Sequence, residues 1–170
     1  MSAAQFNPPQ SPATAQSMSF RNGETSFVWD EEFSVGDGGM DDTHREFVDC
    51  VDAMLRATDA QQGAALSAFE SHARRHFLEE DDAMRDSAYS SAGCHVDEHA
   101  AVLKSLDEVR DALAQGRHEV VRHFAQALAE WFPRHAQVMD LGLARWLQQR
   151  RIGGSPVVIQ RLKSPVVALI

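Results

Sequence analysis

Apolar residues recur every three or four positions along most of the chain, which is the repeat of an α-helix that buries one face. The repeat falls into four stretches separated by short connections. These stretches predict helices over residues 41–59, 64–86, 94–115 and 118–149. Because short connections place consecutive helices side by side in opposite directions, we expect an all-α fold, an antiparallel up-down four-helix bundle.

The two ends of the chain differ from this helical body, which spans residues 27–151. Residues 1–26 are rich in Ser, Gln, Ala and Pro and lack the basic start and apolar core of a secretory signal, so we expect a disordered leader. The other end, residues 152–170, begins with a Gly-Gly-Ser-Pro stop at 153–156, and we expect this tail to be flexible. The apolar end of this tail could equally be disordered or add a strand to a protein partner or another subunit.

Composition and charge narrow the functional classes. A length of 170 residues suits one domain with tails. With 25 acidic against 16 basic residues, the net charge of -9 argues against nucleic acid as a partner. Two cysteines are too few for a disulfide framework, which favours the reducing cytoplasm. No apolar run approaches the roughly 18 residues of a membrane span.

The apolar face of every predicted helix carries histidine or carboxylate side chains. A spacing of four residues puts two side chains on one helix face, one turn apart, where they can bind the same metal ion. Unpartnered buried imidazoles and carboxylates would each cost several kcal/mol, so a shared metal site is the simplest explanation. Five imidazoles and two carboxylates suit two ions and favour iron, manganese or zinc. The seven candidate ligands are His44, His76, Glu80, His95, His99, His135 and Asp140.

His135 and Asp140 have a less regular spacing than the other pairs. Five residues apart on an ideal helix, their side chains diverge by roughly 140°. They can reach one centre only if the helix is distorted or if Asp140 reaches around it. Pro133 lies just upstream and removes a helical hydrogen bond, so we expect a kink there to bring the two residues together.

In this ligand pattern the sequence resembles the hemerythrins, and among them the bacteriohemerythrins. The matching run is His44, His76-Phe77-Leu78-Glu79-Glu80, His95-x-x-x-His99 and His135-x-x-x-x-Asp140. Trp29, Val35-Gly36, Met40-Asp41 and Trp131 also resemble that family, so the resemblance covers residues 27–149.

The resemblance implies a protein that binds dioxygen reversibly, as carrier, store or sensor, and has no catalytic residues. Its cofactor would be two iron ions with a bridging oxo or hydroxo group, and dioxygen would be the ligand. His95, His99 and His135 would hold one iron. His44 and His76 would hold the other, which keeps an open position. Glu80 and Asp140 would bridge the two irons.

Four apolar residues are candidates for lining the oxygen pocket, where they would keep water away from bound oxygen. They are Phe77, Leu103, Trp131 and Phe132, and ordinary core packing would explain them equally well.

Other functions remain open for the same ligand set. A di-iron enzyme that reduces peroxide or nitric oxide and an iron-handling protein are the main alternatives. A ferritin-like carboxylate protein is disfavoured because the chain has no Glu-x-x-His pair. A zinc hydrolase is disfavoured because His-Glu-x-x-His is absent.

Overall fold

The computed structural model describes residues 18–21 and 24–151, with side chains from Ser26 onward. Two short strands, β1 (Met18–Arg21) and β2 (Glu24–Phe27), and a 3₁₀ helix (Glu31–Phe33) precede the helices. The helices are α1 (Gly38–Arg56), α2 (Asp59–Asp86), α3 (Ala92–Ala114), α4 (Glu119–His135) and α5 (Leu141–Arg151), with a π-helical turn (Ala136–Asp140) joining the last two.

The helices form a four-helix bundle, as the sequence predicts, with α4, the π turn and α5 together as its fourth member. Helix α1 packs against α2 and α4, and α3 packs against the same two helices. The connections at 57–58, 87–91 and 115–118 are short, so neighbouring helices run antiparallel. Apolar side chains from all four members fill the core, among them Phe47, Phe69, Leu106 and Leu128.

Three helices, α1, α2 and α3, begin earlier than the apolar repeat indicates. The Asp37 carboxylate accepts hydrogen bonds from the first backbone N–H groups of α1, so Gly38 and Gly39 form its first turn. Helix α2 starts after Thr58, whose backbone N–H donates to the side chain of Gln61 at 3.1 Å. The predicted start at residue 64 is therefore wrong, because a capping interaction begins the helix five residues earlier.

The segment before α1 is more ordered than predicted. Residues 18–21 and 24–26 fall within the predicted disordered leader, 1–26, whereas β1 and β2 pair as an antiparallel hairpin with Met18 opposite Phe27. The Phe27 side chain is buried in the core, and its backbone N–H donates to Asp52 at 3.0 Å. Asp41 on α1 then accepts from the Ser34 hydroxyl at 2.8 Å and the Val35 N–H at 2.7 Å. These bonds hold the 3₁₀ helix against the bundle.

The π turn shifts the register of the fourth helix. The Leu141 N–H donates to the Ala136 carbonyl, five residues back rather than four. Val138, which the regular repeat places inward, is consequently 54% exposed. The helical repeat predicts the buried face correctly only as far as this turn.

In the part of the chain that the structure describes, each helix is too short or too polar to cross a bilayer. The predicted flexible tail, 152–170, lies outside the described residues, as does most of the predicted leader.

Candidate metal centre

The bundle brings all seven predicted ligands together in its interior. Their exposed fractions lie between 0 and 5%. Helix α1 supplies one of them, α2 two, α3 two and the fourth helix two, in the order His44, His76 and Glu80, His95 and His99, His135 and Asp140. No one helix could form this site, which therefore depends on the packing of the whole bundle.

Asp140 lies at the middle of the cluster and faces two sets of imidazoles. Its Oδ2 is 3.1 Å from His44 Nε2. Its Oδ1 is 3.0 Å from His95 Nε2 and 3.3 Å from His135 Nε2. A carboxylate whose two oxygens face different sets of donors is suited to bridging two metal ions.

Glu80 also belongs to both halves of the cluster. Its Oε2 is 3.4 Å from His95 Nε2 and 3.3 Å from His99 Nε2. Ligand atoms of Glu80, His95, His99 and His135 lie within 4.8 Å of one another, and so do ligand atoms of Glu80, His44 and His76. The residues thus form two groups, one with three imidazoles and one with two, that share Glu80.

The π turn explains how His135 and Asp140 converge. In a π turn the hydrogen bond spans five residues, so residues five apart lie on one side of the helix, as residues four apart do in an α-helix. The Asp140 Oδ1 and His135 Nε2 accordingly come within 3.3 Å. The helix is distorted as expected, by a π turn that starts three residues after Pro133. The kink expected at Pro133 itself stays a prediction.

The donor atoms are those that a metal ion would satisfy. Each lies in the interior without a hydrogen bond of normal geometry: Nε2 of His44, His95, His99 and His135, and both oxygens of Glu80 and of Asp140. Leaving so many buried polar atoms unpartnered would cost far more free energy than a small domain can supply. Imidazole and carboxylate donors in this number suit a pair of transition-metal ions.

Three of the candidate ligand imidazoles are oriented through their other ring nitrogen. The His44 Nδ1 is 2.9 Å from the Phe33 carbonyl oxygen, which the 3₁₀ helix positions. The His99 Nδ1 is 2.8 Å from Asp81 Oδ1. The His135 Nδ1 is 2.8 Å from Glu98 Oε2. A hydrogen bond at Nδ1 fixes the tautomer that leaves Nε2 free to bind a metal ion.

Three of the four predicted pocket residues contact ligand rings. Phe77 stacks on His99 with ring centroids 4.1 Å apart, and Trp131 stacks on His135 at 4.2 Å. The Phe132 ring meets His44 edge to face at 5.2 Å. Leu103 packs, partly buried, against the hydrophobic core. Whether these residues line a pocket for dioxygen stays a prediction.

In the metal-free chain, burial and neighbouring charges act in opposite directions on the pKa values. Burial opposes protonation of His135, but Asp140 outweighs it and raises the pKa of His135 to about 9. At His76 burial dominates and lowers the pKa to about 4. Burial alone would raise the pKa of Asp140, but His135 and the other imidazoles hold it well below its usual range. Asp140 is therefore ionised at neutral pH, the state in which a carboxylate binds metal ions.

The groups that orient the histidines were not predicted from the sequence. Asp81 and Glu98 lie on the partly exposed, polar sides of their helices, where a carboxylate is ordinarily a solvated group. Their only signal in the sequence is position, since Asp81 follows Glu80 directly and Glu98 precedes His99. The Phe33 carbonyl belongs to the backbone, so its role carries no residue signature.

Comparison with known proteins agrees with this geometry. The family model described as the hemerythrin HHE cation binding domain matches residues 36–147, more than half of the chain. A bacteriohemerythrin from Ralstonia nicotianae is 36% identical over 122 residues, which cover 72% of this chain and 89% of the relative. Residues 36–147, which the family model matches, include every residue of the cluster. The chain therefore belongs to the hemerythrin family.

Proposed function

We propose that this chain binds dioxygen reversibly at a non-haem di-iron centre. The observation that carries the proposal is the position of Asp140, whose two oxygens face His44 on one side and His95 and His135 on the other. This placement suits a pair of metal ions held by one carboxylate. Family membership favours iron among the metals that these donors accept.

The ligands divide between the two ions according to the groups in the structure. His95, His99 and His135 would hold one iron, and His44 and His76 the other. Glu80 and Asp140 would bridge them, together with an oxo or hydroxo group. The second iron would have two imidazole ligands where the first has three, which would leave it a free position for an added ligand. When bound, the iron pair would supply the site that holds dioxygen and the electrons that dioxygen takes up and returns.

The chain's own residues orient the ligand imidazoles and cover some of them with apolar surface. The Phe33 carbonyl, Asp81 and Glu98 fix the orientation of three imidazoles. The rings of Phe77 and Phe132, each 1% exposed, cover ligand imidazoles with apolar surface. Apolar surface beside these imidazoles favours the return of unchanged dioxygen over its protonation and loss.

Family membership favours a binding role over catalysis. Phenyl rings offer no proton to a bound ligand, and reduction of peroxide or nitric oxide would need a proton source.

Cys50 and Cys94 are free thiols, which supports the reducing cytoplasm as the location.

Metal analysis combined with visible spectroscopy tests this function. The protein is purified in air, its iron and zinc are measured, and its spectrum is recorded before and after oxygen is removed. We expect about two irons per chain and a colour that fades without oxygen and returns with it. Two irons with a spectrum that never cycles would favour an enzyme or iron handling. Zinc alone, or no metal, would refute the di-iron centre.

A further inference from the structure

A cleft that opens to solvent reaches the metal cluster from one side of the bundle. It has a volume of about 260 Å³ and is lined by residues of α1, α2 and α5. Its buried lining residues include His76 and Glu80, which are 3% and 5% exposed. Glu79, at its outer part, is exposed to solvent. The cleft therefore leads from the surface to two of the predicted ligands.

The charged groups that line this cleft are acidic. They are Asp37, Glu79 and Glu80. Asp37 is tied to Arg151, whose Nη1 lies 2.8 Å from Asp37 Oδ2. For Glu79, by contrast, the described residues supply no ion-pair partner. Farther in, both buried oxygens of Glu80 lack hydrogen bonds. A low-dielectric cleft with charges of one sign concentrates ions of the other sign, so this one favours cations.

A second cleft reaches the cluster elsewhere but lacks this charge. Its volume is about 460 Å³ and it ends at His95, between the α2–α3 connection and the π turn. Ser91, Cys94 and Val138 are among its lining residues, and none of the lining residues is a carboxylate. Although it is larger, it offers a positive ion no carboxylate to offset the cost of losing hydration water.

We propose that the acidic cleft is the route by which a divalent metal ion enters the centre. Glu79 attracts the hydrated ion at the mouth, and Glu80 and His76 receive it. The carboxylates of Glu79 and Glu80 are adjacent in sequence, one exposed and one buried, so the ion stays close to a negative charge while it loses its hydration water. The inference rests on the metal centre proposed above, but it concerns the rate of loading and not the final metal content.

Stopped-flow loading of the metal-free full-length chain with Co²⁺ tests this route, since the ion gains visible absorbance in imidazole and carboxylate sites. We expect Glu79→Lys to slow loading roughly tenfold at low ionic strength, within the range of electrostatic steering. At about 1 M salt, where the Debye length is about 3 Å, the difference should disappear. Ala83→Leu narrows the same cleft and should also slow loading, without changing charge.

Two matched variants serve as controls. Glu108→Lys makes the same charge change at an exposed site on α3, nine positions beyond His99 and so roughly 13 Å along the helix. Ser91→Leu places the same leucine side chain in the second cleft. Both should load at the wild-type rate. If Glu79→Lys is no slower than Glu108→Lys, or if Ser91→Leu slows loading while Ala83→Leu does not, the proposed route is wrong.

The end point of the same experiment separates this inference from the proposed function. If the wild-type chain binds about two ions, the proposed metal centre stands, whatever the loading rates of the variants. A wild-type chain that fails to bind the metal would refute the centre itself. Circular dichroism of each metal-free variant, compared with wild type, shows whether slow loading reflects a closed route or an unfolded bundle.

Discussion

Glu98 holds two side chains beside the metal centre, and its replacement should weaken metal binding measurably. One oxygen, Oε2, accepts hydrogen bonds from His135 Nδ1 at 2.8 Å and Trp131 Nε1 at 3.2 Å. The hydrogen bond from His135 holds the pKa of Glu98 below its ordinary value, so the group is ionised at neutral pH. We consider two variants, Glu98→Gln, which removes the charge, and Glu98→Ala, which removes the acceptor.

The size of each effect follows from the contacts. Losing a carboxylate that supports a metal-bound histidine typically reduces metal affinity 10- to 100-fold, which is about 1.4–2.8 kcal/mol. The Glu98 side chain is 32% exposed, so water can replace it in part, and we expect about tenfold for Glu98→Ala. The glutamine keeps an acceptor oxygen and loses only the contribution of charge, about 1 kcal/mol, which corresponds to about fivefold.

Competition with a chelator of known affinity measures both effects. The metal-free chain is titrated with Zn²⁺ in the presence of the chelator, and the dissociation constants of wild type and variants are compared. Glu108→Gln, an exposed change on the same helix, is the control and should bind as wild type does. The reasoning is refuted if Glu98→Ala binds as tightly as wild type, or if Glu98→Gln is weaker than Glu98→Ala.

Four further outcomes follow from the same structure. His99→Ala should reduce bound metal from about two ions per chain towards one or none, and elemental analysis that still finds two would contradict the ligand assignment. Metal removal should lower the melting temperature by roughly 10 °C. Metal at 100 to 1,000 times its dissociation constant adds about 2.7–4.1 kcal/mol to the free energy of unfolding, and each kcal/mol shifts the melting temperature by about 2–4 °C. An unchanged calorimetric scan would argue against a buried site. Metal loading at pH 8 should release protons, measured by pH-stat, because the raised pKa of about 9 keeps His135 protonated until metal displaces the proton. The proton released from His135 should vanish above that pKa. Proton release that does not decline above that pKa would contradict this role of His135. A chain shortened by residues 156–170 should keep its full metal content, and loss of metal on truncation would mean that this tail takes part in the fold.

The helical faces and the ligands were predictable because both follow the helical repeat. A buried histidine at the correct position in an apolar stripe, such as His44 or His99, points into the bundle wherever the helix ends lie. All four helices carried such residues, so their meeting point followed from the bundle itself. Errors in the helix starts, as at Thr58, did not move any ligand.

The missed features do not follow a repeat. The π turn comes from hydrogen bonding over five residues, which a period of 3.6 cannot show, and it leaves Val138 exposed against expectation. The carboxylates of Asp81 and Glu98 lie on partly exposed helix faces and look like solubilising charges in the sequence. Their function appears only when packing brings them to His99 and His135.

Reversible oxygen uptake by the iron-loaded chain tests the di-iron oxygen-binding site most directly. The chain is loaded with ferrous iron without oxygen, and the uptake is measured together with the iron content. One dioxygen per pair of irons is predicted, released when the oxygen pressure is lowered and taken up again in the next cycle. Oxygen that is consumed once and never returned, or uptake by a chain that holds a single iron, would contradict it.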